Sequence, residues 1–154
     1  MTADDRSDAA QPARAGTGIV GYVPGAYDVF HIGHLNILRR AREHCDYLIA
    51  GVVTDDVMVQ AKGKAPMVPL AERMEIVGSM ACVDEVVVDI SSDKYVMWER
   101  LGFDVLFKGD DWKGTPKGDR LEQSLGAVGV RVVYFPYTSH TSSTKLRRLI
   151  TGAA

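Results

Sequence analysis

The stretch Gly25-Ala26-Tyr27-Asp28-Val29-Phe30-His31-Ile32-Gly33-His34 decides how this chain is interpreted. It follows an apolar run at 19–23 and leads into a segment with helical spacing. Gly25 allows the backbone to turn sharply after a strand, and Gly33 allows a ligand to approach the backbone closely. A helix that begins near Gly33 presents N–H groups and the positive end of its dipole to that space. The stretch therefore predicts a phosphate-binding turn between a strand and a helix.

Two histidines of this turn, His31 and His34, add side-chain donors to the predicted anion site. An imidazole donates a hydrogen bond to a phosphate oxygen and, when protonated, stabilises negative charge in a transition state. A zinc site is less favoured, because no Cys or further His is spaced to complete a set of four ligands. We therefore predict phosphoryl chemistry here, with no metal held by the protein alone.

Short β-branched runs alternate with segments of helical spacing along the rest of the chain. The predicted strands are 19–23, 47–53, 85–88, 105–108 and 130–135, and apolar stripes predict helices within 35–45, 70–77, 96–101, 121–128 and 143–150. This alternation predicts an α/β fold with a Rossmann-like, doubly wound, parallel five-stranded sheet in a single domain at 18–154. Such sheets bind ligands outside the carboxyl ends of their strands. Residues 1–17 lack periodicity and are predicted to be a disordered tail.

Composition excludes several classes of function. The chain has 154 residues, 46% of them hydrophobic, and a net charge of −2, so we expect no nucleic-acid partner. No apolar run approaches the roughly 20 residues that cross a membrane, and no apolar stretch near Met1 indicates a signal peptide. Cys45 and Cys82 form no disulfide or metal pattern, which favours reduced thiols and a cytoplasmic protein.

The turn resembles the signature of the HxGH nucleotidyltransferases, and within them it is most similar to the glycerol-phosphate type of the cytidylyltransferase family. Three further segments carry the resemblance: Val83-Asp84-Glu85-Val86, Gly109-Asp110-Asp111-Trp112 and Ser142-Ser143-Thr144-Lys145. The resemblance extends from about Gly18 to Ile150. It implies transfer of CMP from CTP to a small phosphomonoester, with glycerol 3-phosphate as the first acceptor to consider and pyrophosphate as the second product. It also implies Mg²⁺ with the nucleotide phosphates, no covalent enzyme intermediate, and a homodimer.

The resemblance also implies roles for individual residues. Catalytic roles fall on His31, His34, Lys64 and Arg73. Acceptor binding falls on Lys62 and Lys94, where Lys62 and Lys64 lie in a predicted polar loop after the second strand. Nucleotide binding falls on Gly25, Ala26, Tyr27, Gly33, Asp111, Trp112, Thr138, Ser142, Ser143 and Thr144.

The chain departs from the family pattern at several positions. Tyr137 and Ala81 stand where the family commonly has arginines, and Ala26 stands where the glycerol-phosphate type has a threonine. A charge-assisted contact is worth roughly 1.5–3 kcal/mol, so we expect other groups to replace the two cations. The candidates are Arg147, Arg148 and His140. Two alternative functions stay open: an adenylyltransferase that uses ATP with FMN or a sugar phosphate, and a non-catalytic nucleotide-binding module.

Overall fold

The computed structural model describes residues 18–137 and 140–152. Its five strands form one all-parallel sheet in the order β3-β2-β1-β4-β5. The strands are β1 (Val20–Gly25), β2 (Tyr47–Val53), β3 (Glu85–Asp89), β4 (Val105–Gly109) and β5 (Arg131–Phe135). The predicted α/β fold with five parallel strands is confirmed, whereas the predicted tail at 1–17 lies outside the described residues.

Helices cover both faces of this sheet. They are α1 (Ile32–Arg42), α2 (Asp55–Lys62), α3 (Leu70–Gly78), α4 (Lys94–Leu101), α5 (Pro116–Gly126) and α6 (Ser143–Thr151). On one face α1 and α3 bury Leu38, Ala41 and Val77, and on the other α4 and α5 bury Met97, Leu121 and Leu125. The doubly wound arrangement is therefore confirmed. None of the described helices is long and apolar enough to cross a membrane.

Two features of the sheet position the functional turn. Successive residues of β1 enter opposite cores, Tyr22 in one and Val23 in the other, which is why this strand reads as continuously apolar. The chain runs from β1 outward through β2 and β3, and then returns to place β4 on the other side of β1. The carboxyl ends of β1 and β4 thus form the switch point where such sheets bind ligands.

The sequence analysis predicted a polar loop after β2, but this segment begins with helix α2. Thr54 caps the helix by accepting a hydrogen bond from the Val57 amide at 3.2 Å, and Gly63 ends it with a left-handed φ of 73°. Acidic residues in the first turn and Lys62 in the last complement the helix dipole. Lys62 is therefore held at the end of a helix, and Lys64 lies in the loop that follows.

Candidate active site

A cavity of about 250 Å³ opens at the carboxyl ends of β1 and β4. Its position is the one that the topology of a doubly wound sheet predicts. Most residues predicted from the sequence meet there: Gly25, Ala26, Tyr27, His31, Gly33, His34, Lys62, Asp111, Ser143 and Thr144 line it. The cavity therefore gathers residues from β1, α1, α2, β4 and α6 around the turn.

The two histidines build the start of helix α1 between them. His31 is the N-cap, and its Nδ1 accepts a hydrogen bond from the Gly33 amide at 3.0 Å. In return, Nδ1 of His34 accepts from the His31 amide at 3.2 Å, which completes a capping box. Because both Nδ1 atoms accept, each neutral ring carries its proton on Nε2. The Gly33 amide, expected to face a ligand, is occupied by His31 in this arrangement.

Ser143 fixes the other side of the His31 ring. The Ser143 hydroxyl donates to the backbone carbonyl of Asp28 at 2.6 Å, and its Oγ lies 3.2 Å from Nε2 of His31. Because the Ser143 hydroxyl already donates its proton to the Asp28 carbonyl, Oγ accepts a hydrogen bond from the Nε2–H of His31. The imidazole is thereby held at both nitrogens, by α1 on one side and by the first turn of α6 on the other.

Burial keeps both imidazoles neutral. It lowers the pKa of His34 to about 3, and electrostatic interactions with His31 and Lys62 reinforce that shift. The ring of His34 lies against those of Tyr27, Phe30 and His31, with centroid distances of 5.4, 5.3 and 4.0 Å. Burial also lowers the pKa of His31. Near neutral pH, therefore, each ring is neutral and carries its proton on Nε2.

The backbone of the turn is strained at two residues. Tyr27 has φ of 53° and Val29 has φ of 49°, values that L-residues rarely adopt, and Val29 is β-branched. The Tyr27 hydroxyl holds the first by donating to the Val23 carbonyl at 2.8 Å. Such strain persists where surrounding contacts impose it, and it is concentrated at functional sites.

The buried carboxylate of Asp28 supplies many of those contacts. It is 1% exposed and accepts hydrogen bonds from the amides of Met67 and Val68, both at 2.9 Å. It also pairs with Arg147 of α6 at 2.6 Å. Asp28 thus connects the turn with the loop at 63–69 and with α6. Arg147, a candidate replacement for a missing arginine, has its charge committed to this pair.

Arg73 is buried beside the turn and does not line the cavity. The residue is 1% exposed, and its side chain donates to the carbonyls of Ala26, Val53 and Val68 at 2.7, 2.8 and 2.8 Å. A fourth bond, to Asp55, measures 2.8 Å. The guanidinium therefore joins α3 to the ends of β1 and β2.

Other predicted residues lie outside the first cavity. Lys64 is exposed in the loop at 63–69, and Ser142 is the N-cap of α6, accepting from the Lys145 amide at 3.1 Å. Trp112 and Lys94 line a second cavity. The ammonium of Lys94 is buried there against Asp89 at 2.9 Å and the Ser91 carbonyl at 2.7 Å. Thr138 lies outside the described residues.

The structure adds two cations that sequence reasoning missed. Arg40 of α1 and Lys108 of β4 both line the first cavity. The Lys108 ammonium lies 3.9 Å above the ring of Trp112. Burial, reinforced by the charge of Lys94, lowers the pKa of Lys108 to about 8. The available signal was a lysine near the carboxyl end of an otherwise apolar central strand.

Comparisons with known proteins agree with this geometry. The sequence model of the family described as cytidylyltransferase-like matches residues 22–149. Glycerol-3-phosphate cytidylyltransferase of Bacillus subtilis is 33% identical over 83% of this chain and 94% of its own length. The bifunctional protein HldE of Streptomyces coelicolor is 34% identical over 93% of this chain, and the chain spans 31% of that protein.

Two further proteins resemble this chain over a shorter stretch or in fold alone. Ethanolamine-phosphate cytidylyltransferase of Arabidopsis thaliana is 38% identical over 63% of this chain, which spans 24% of it. A lipopolysaccharide core biosynthesis protein from Thermoplasma volcanium shares the fold, with a TM-score of 0.66, 18% identity and coverage of 80% of this chain and 99% of that one. The family match covers the sheet, the turn and nearly all of α6. This chain belongs to the cytidylyltransferase-like family.

Proposed function

We propose that this chain transfers CMP from CTP to a small phosphomonoester, with glycerol 3-phosphate as the first acceptor to test, and releases pyrophosphate. The observation that carries the proposal is the pair of histidines in one cavity. Both accept backbone amides through Nδ1, so both carry a proton on Nε2: that of His34 is left for a ligand, and that of His31, held by Ser143 Oγ, can transfer to a phosphate oxygen. The names of the relatives from Bacillus subtilis and Arabidopsis thaliana support the reaction class.

The reaction needs positioning and charge neutralisation more than covalent chemistry. An oxygen of the acceptor phosphate attacks the α-phosphorus of CTP, the new P–O bond forms in line, and the bond to pyrophosphate breaks. His31 and His34 donate to the oxygens on which charge develops, while Lys62 and Lys108 offset the charge of the triphosphate.

Magnesium is proposed as a partner of the nucleotide. Within residues 18–137 and 140–152, no group of three or more His, Cys, Asp or Glu side chains is placed to hold a metal ion. Phosphate oxygens and water would therefore supply most ligands, as is usual for Mg²⁺, and the exposed Asp111 in the cavity lining is a suitable further carboxylate. When bound, the ion would neutralise phosphate charge.

Pyrophosphate release, measured with each of the four nucleoside triphosphates against a panel of phosphomonoesters, tests this function. We expect turnover with CTP and a small phosphorylated alcohol. Turnover with ATP alone would instead establish an adenylyltransferase, an alternative supported by the 26% identical FAD synthase of Thermococcus sibiricus.

A variant of His34 separates catalysis from simple nucleotide binding. We expect His34→Ala to abolish turnover, with an unchanged circular dichroism spectrum showing that the fold is intact. Tight CTP binding by the wild type with no turnover on any acceptor would establish a non-catalytic nucleotide-binding module.

We also propose that the chain forms a homodimer and is cytoplasmic. On α6 the apolar residues Leu149 and Ile150 are 79% and 62% exposed, which supports an interface there. Light scattering across a range of protein concentrations tests the dimer, and a mass that stays monomeric would refute it.

A further inference from the structure

A second cavity, of about 800 Å³, is lined by residues that are chain neighbours of residues in the first. Gln60 and Ala61 of α2 line it, and the next residue, Lys62, lines the first cavity. In the same way Trp112 lines the second cavity and Asp111 lines the first. The end of α2 and the turn at 110–112 therefore form a shared rim. A volume near 800 Å³ holds ligands much larger than a three-carbon phosphate.

Helix α5 presents cations to this second cavity. Lys117 and Arg120 lie three residues apart, hence on one side of the helix, and both line the cavity. The acids of α5 lie elsewhere: after burial, the carboxylates of Glu122 and Asp119 are the groups that raise the pKa of Tyr134. The helix thus separates its charges, with the basic side toward the cavity.

The other charged groups of the second cavity are already engaged. Lys94 is paired with Asp89 at 2.9 Å, and the Asp93 carboxylate caps α4 by accepting from the Tyr95 amide at 3.0 Å. In the part of the chain that the structure describes, neither Lys117 nor Arg120 takes part in an ion pair. Their positive charge therefore dominates the cavity.

The start of α5 is held firmly against the rim. A Cβ on Gly118 would lie 2.0 Å from the carbonyl oxygen of Trp112, so only glycine permits this approach. Thr115 secures it by donating to the same carbonyl at 2.6 Å and by accepting from the Gly118 amide at 3.1 Å. Lys117 consequently lies with its ammonium 5.8 Å from the Trp112 ring. The cations are on a fixed element, which favours specific recognition.

We propose that the acceptor carries a second anionic group besides its reacting phosphate, and that Lys117 and Arg120 bind this group in the second cavity. The proposal rests on the proposed function, because the reacting phosphate must reach His31 and His34 across the rim. It specifies phosphomonoesters with a carboxylate or a second phosphate several bonds from the first. Glycerol 3-phosphate lacks that group and is then a weaker acceptor than its anionic analogues.

Isothermal titration calorimetry without nucleotide tests the proposal with three probes: glycerol 3-phosphate, 3-phosphoglycerate and fructose 1,6-bisphosphate. We expect one or both of the latter to bind about tenfold more tightly than glycerol 3-phosphate. Lys117→Ala/Arg120→Ala should remove this preference and change glycerol 3-phosphate binding less than about twofold. The two anionic probes distinguish a carboxylate from a phosphate as the second group.

A matched control removes two positive charges elsewhere. Arg39 and Arg131 are exposed and line neither cavity, so Arg39→Ala/Arg131→Ala should retain the preference. Equal wild-type affinities for all three probes, or a preference that survives in Lys117→Ala/Arg120→Ala, would overturn the proposal. If the alanine variant melts earlier than wild type, Lys117→Gln/Arg120→Gln decides the same question. A confirmed preference with no pyrophosphate release from CTP would refute the proposed function alone.

Discussion

Replacing Arg73 by methionine tests whether this buried guanidinium positions the turn or acts on substrate. The residue is 1% exposed, and its side chain donates to three backbone carbonyls, of Ala26, Val53 and Val68. Methionine is similar in length and donates no hydrogen bond. The Arg73→Met variant therefore removes one donor from each of three carbonyls while it keeps most of the packing.

The expected cost follows from these contacts. The bond to the Val53 carbonyl is buried, and an unsatisfied buried acceptor costs about 1–3 kcal/mol. The bonds to the Ala26 and Val68 carbonyls are partly buried and contribute about 1 kcal/mol each. The pair with Asp55, whose side chain is 55% exposed, adds less than about 1 kcal/mol. Arg73→Met should lower the free energy of unfolding by about 4 kcal/mol, a large share of the roughly 5–15 kcal/mol of a domain.

Urea denaturation measures this loss as a lower midpoint at an unchanged m-value. Arg39→Met, on an exposed side of α1, is the control and should stay within about 0.5 kcal/mol of wild type. We expect kcat/KM to fall with stability, because the Ala26 carbonyl belongs to the turn that lines the cavity. Wild-type stability combined with a hundredfold loss of turnover would refute this reasoning and favour the catalytic role that the resemblance implied.

Three further predictions concern the cavity lining. Burial lowers the pKa of His34 to about 3, against about 6.5 in the unfolded chain. Between these two pH values the unfolded chain binds more protons than the folded chain. The free energy of unfolding should therefore decrease as pH falls through this window. The loss reaches roughly 5 kcal/mol at most, and His34→Gln should flatten the dependence in urea titrations at pH 4 to 7. Burial lowers the pKa of Lys108 to about 8, so the affinity for CTP should decrease as pH rises above that value. Calorimetry on Lys108→Met should show no such decrease. A wild-type affinity that does not change with pH would contradict the predicted contact between Lys108 and phosphate. Ser143→Ala should lower kcat about tenfold, because His31 loses a hydrogen-bond partner. Ser142→Ala removes a helix cap, so it should lower the free energy of unfolding by about 1 kcal/mol and leave kcat unchanged. Equal kcat values in the two variants would contradict these separate roles.

The fold and the turn were predictable because their signals are local. Alternating strands and helices specify a doubly wound sheet, and the switch point then follows from topology. The members of the turn, from Gly25 to His34, lie together in the cavity because they are neighbours along the chain. Helix α2 was missed because its length and polarity resemble a loop, although Thr54 and Gly63 mark its two ends.

The partners of charged side chains were not predictable, because they come from distant parts of the chain. Arg73 is bonded to a carbonyl 47 residues away, and Asp28 to a guanidinium 119 residues away. The sequence alone suggests that Lys94 binds phosphate, whereas the structure pairs its ammonium with Asp89. The sequence alone places Lys108 in a strand, whereas the structure shows that it also lines the cavity. In each case three-dimensional packing, rather than residue type, decides whether the charge is available to a ligand.

The spacing of the two histidines has a structural reason. In the capping box that begins α1, the His34 side chain accepts from the amide of the N-cap residue His31, and the His31 side chain accepts from the amide of Gly33. A serine or an asparagine at either position could accept from the same amide, but with a shorter side chain. An imidazole accepts from the amide through Nδ1 and carries a second nitrogen, Nε2, whose N–H points away from the backbone. The His-x-Gly-His spacing thus starts the helix and delivers two donors to the cavity with the same side chains, so any substitution that retains only the cap should retain the fold and lose the transfer reaction.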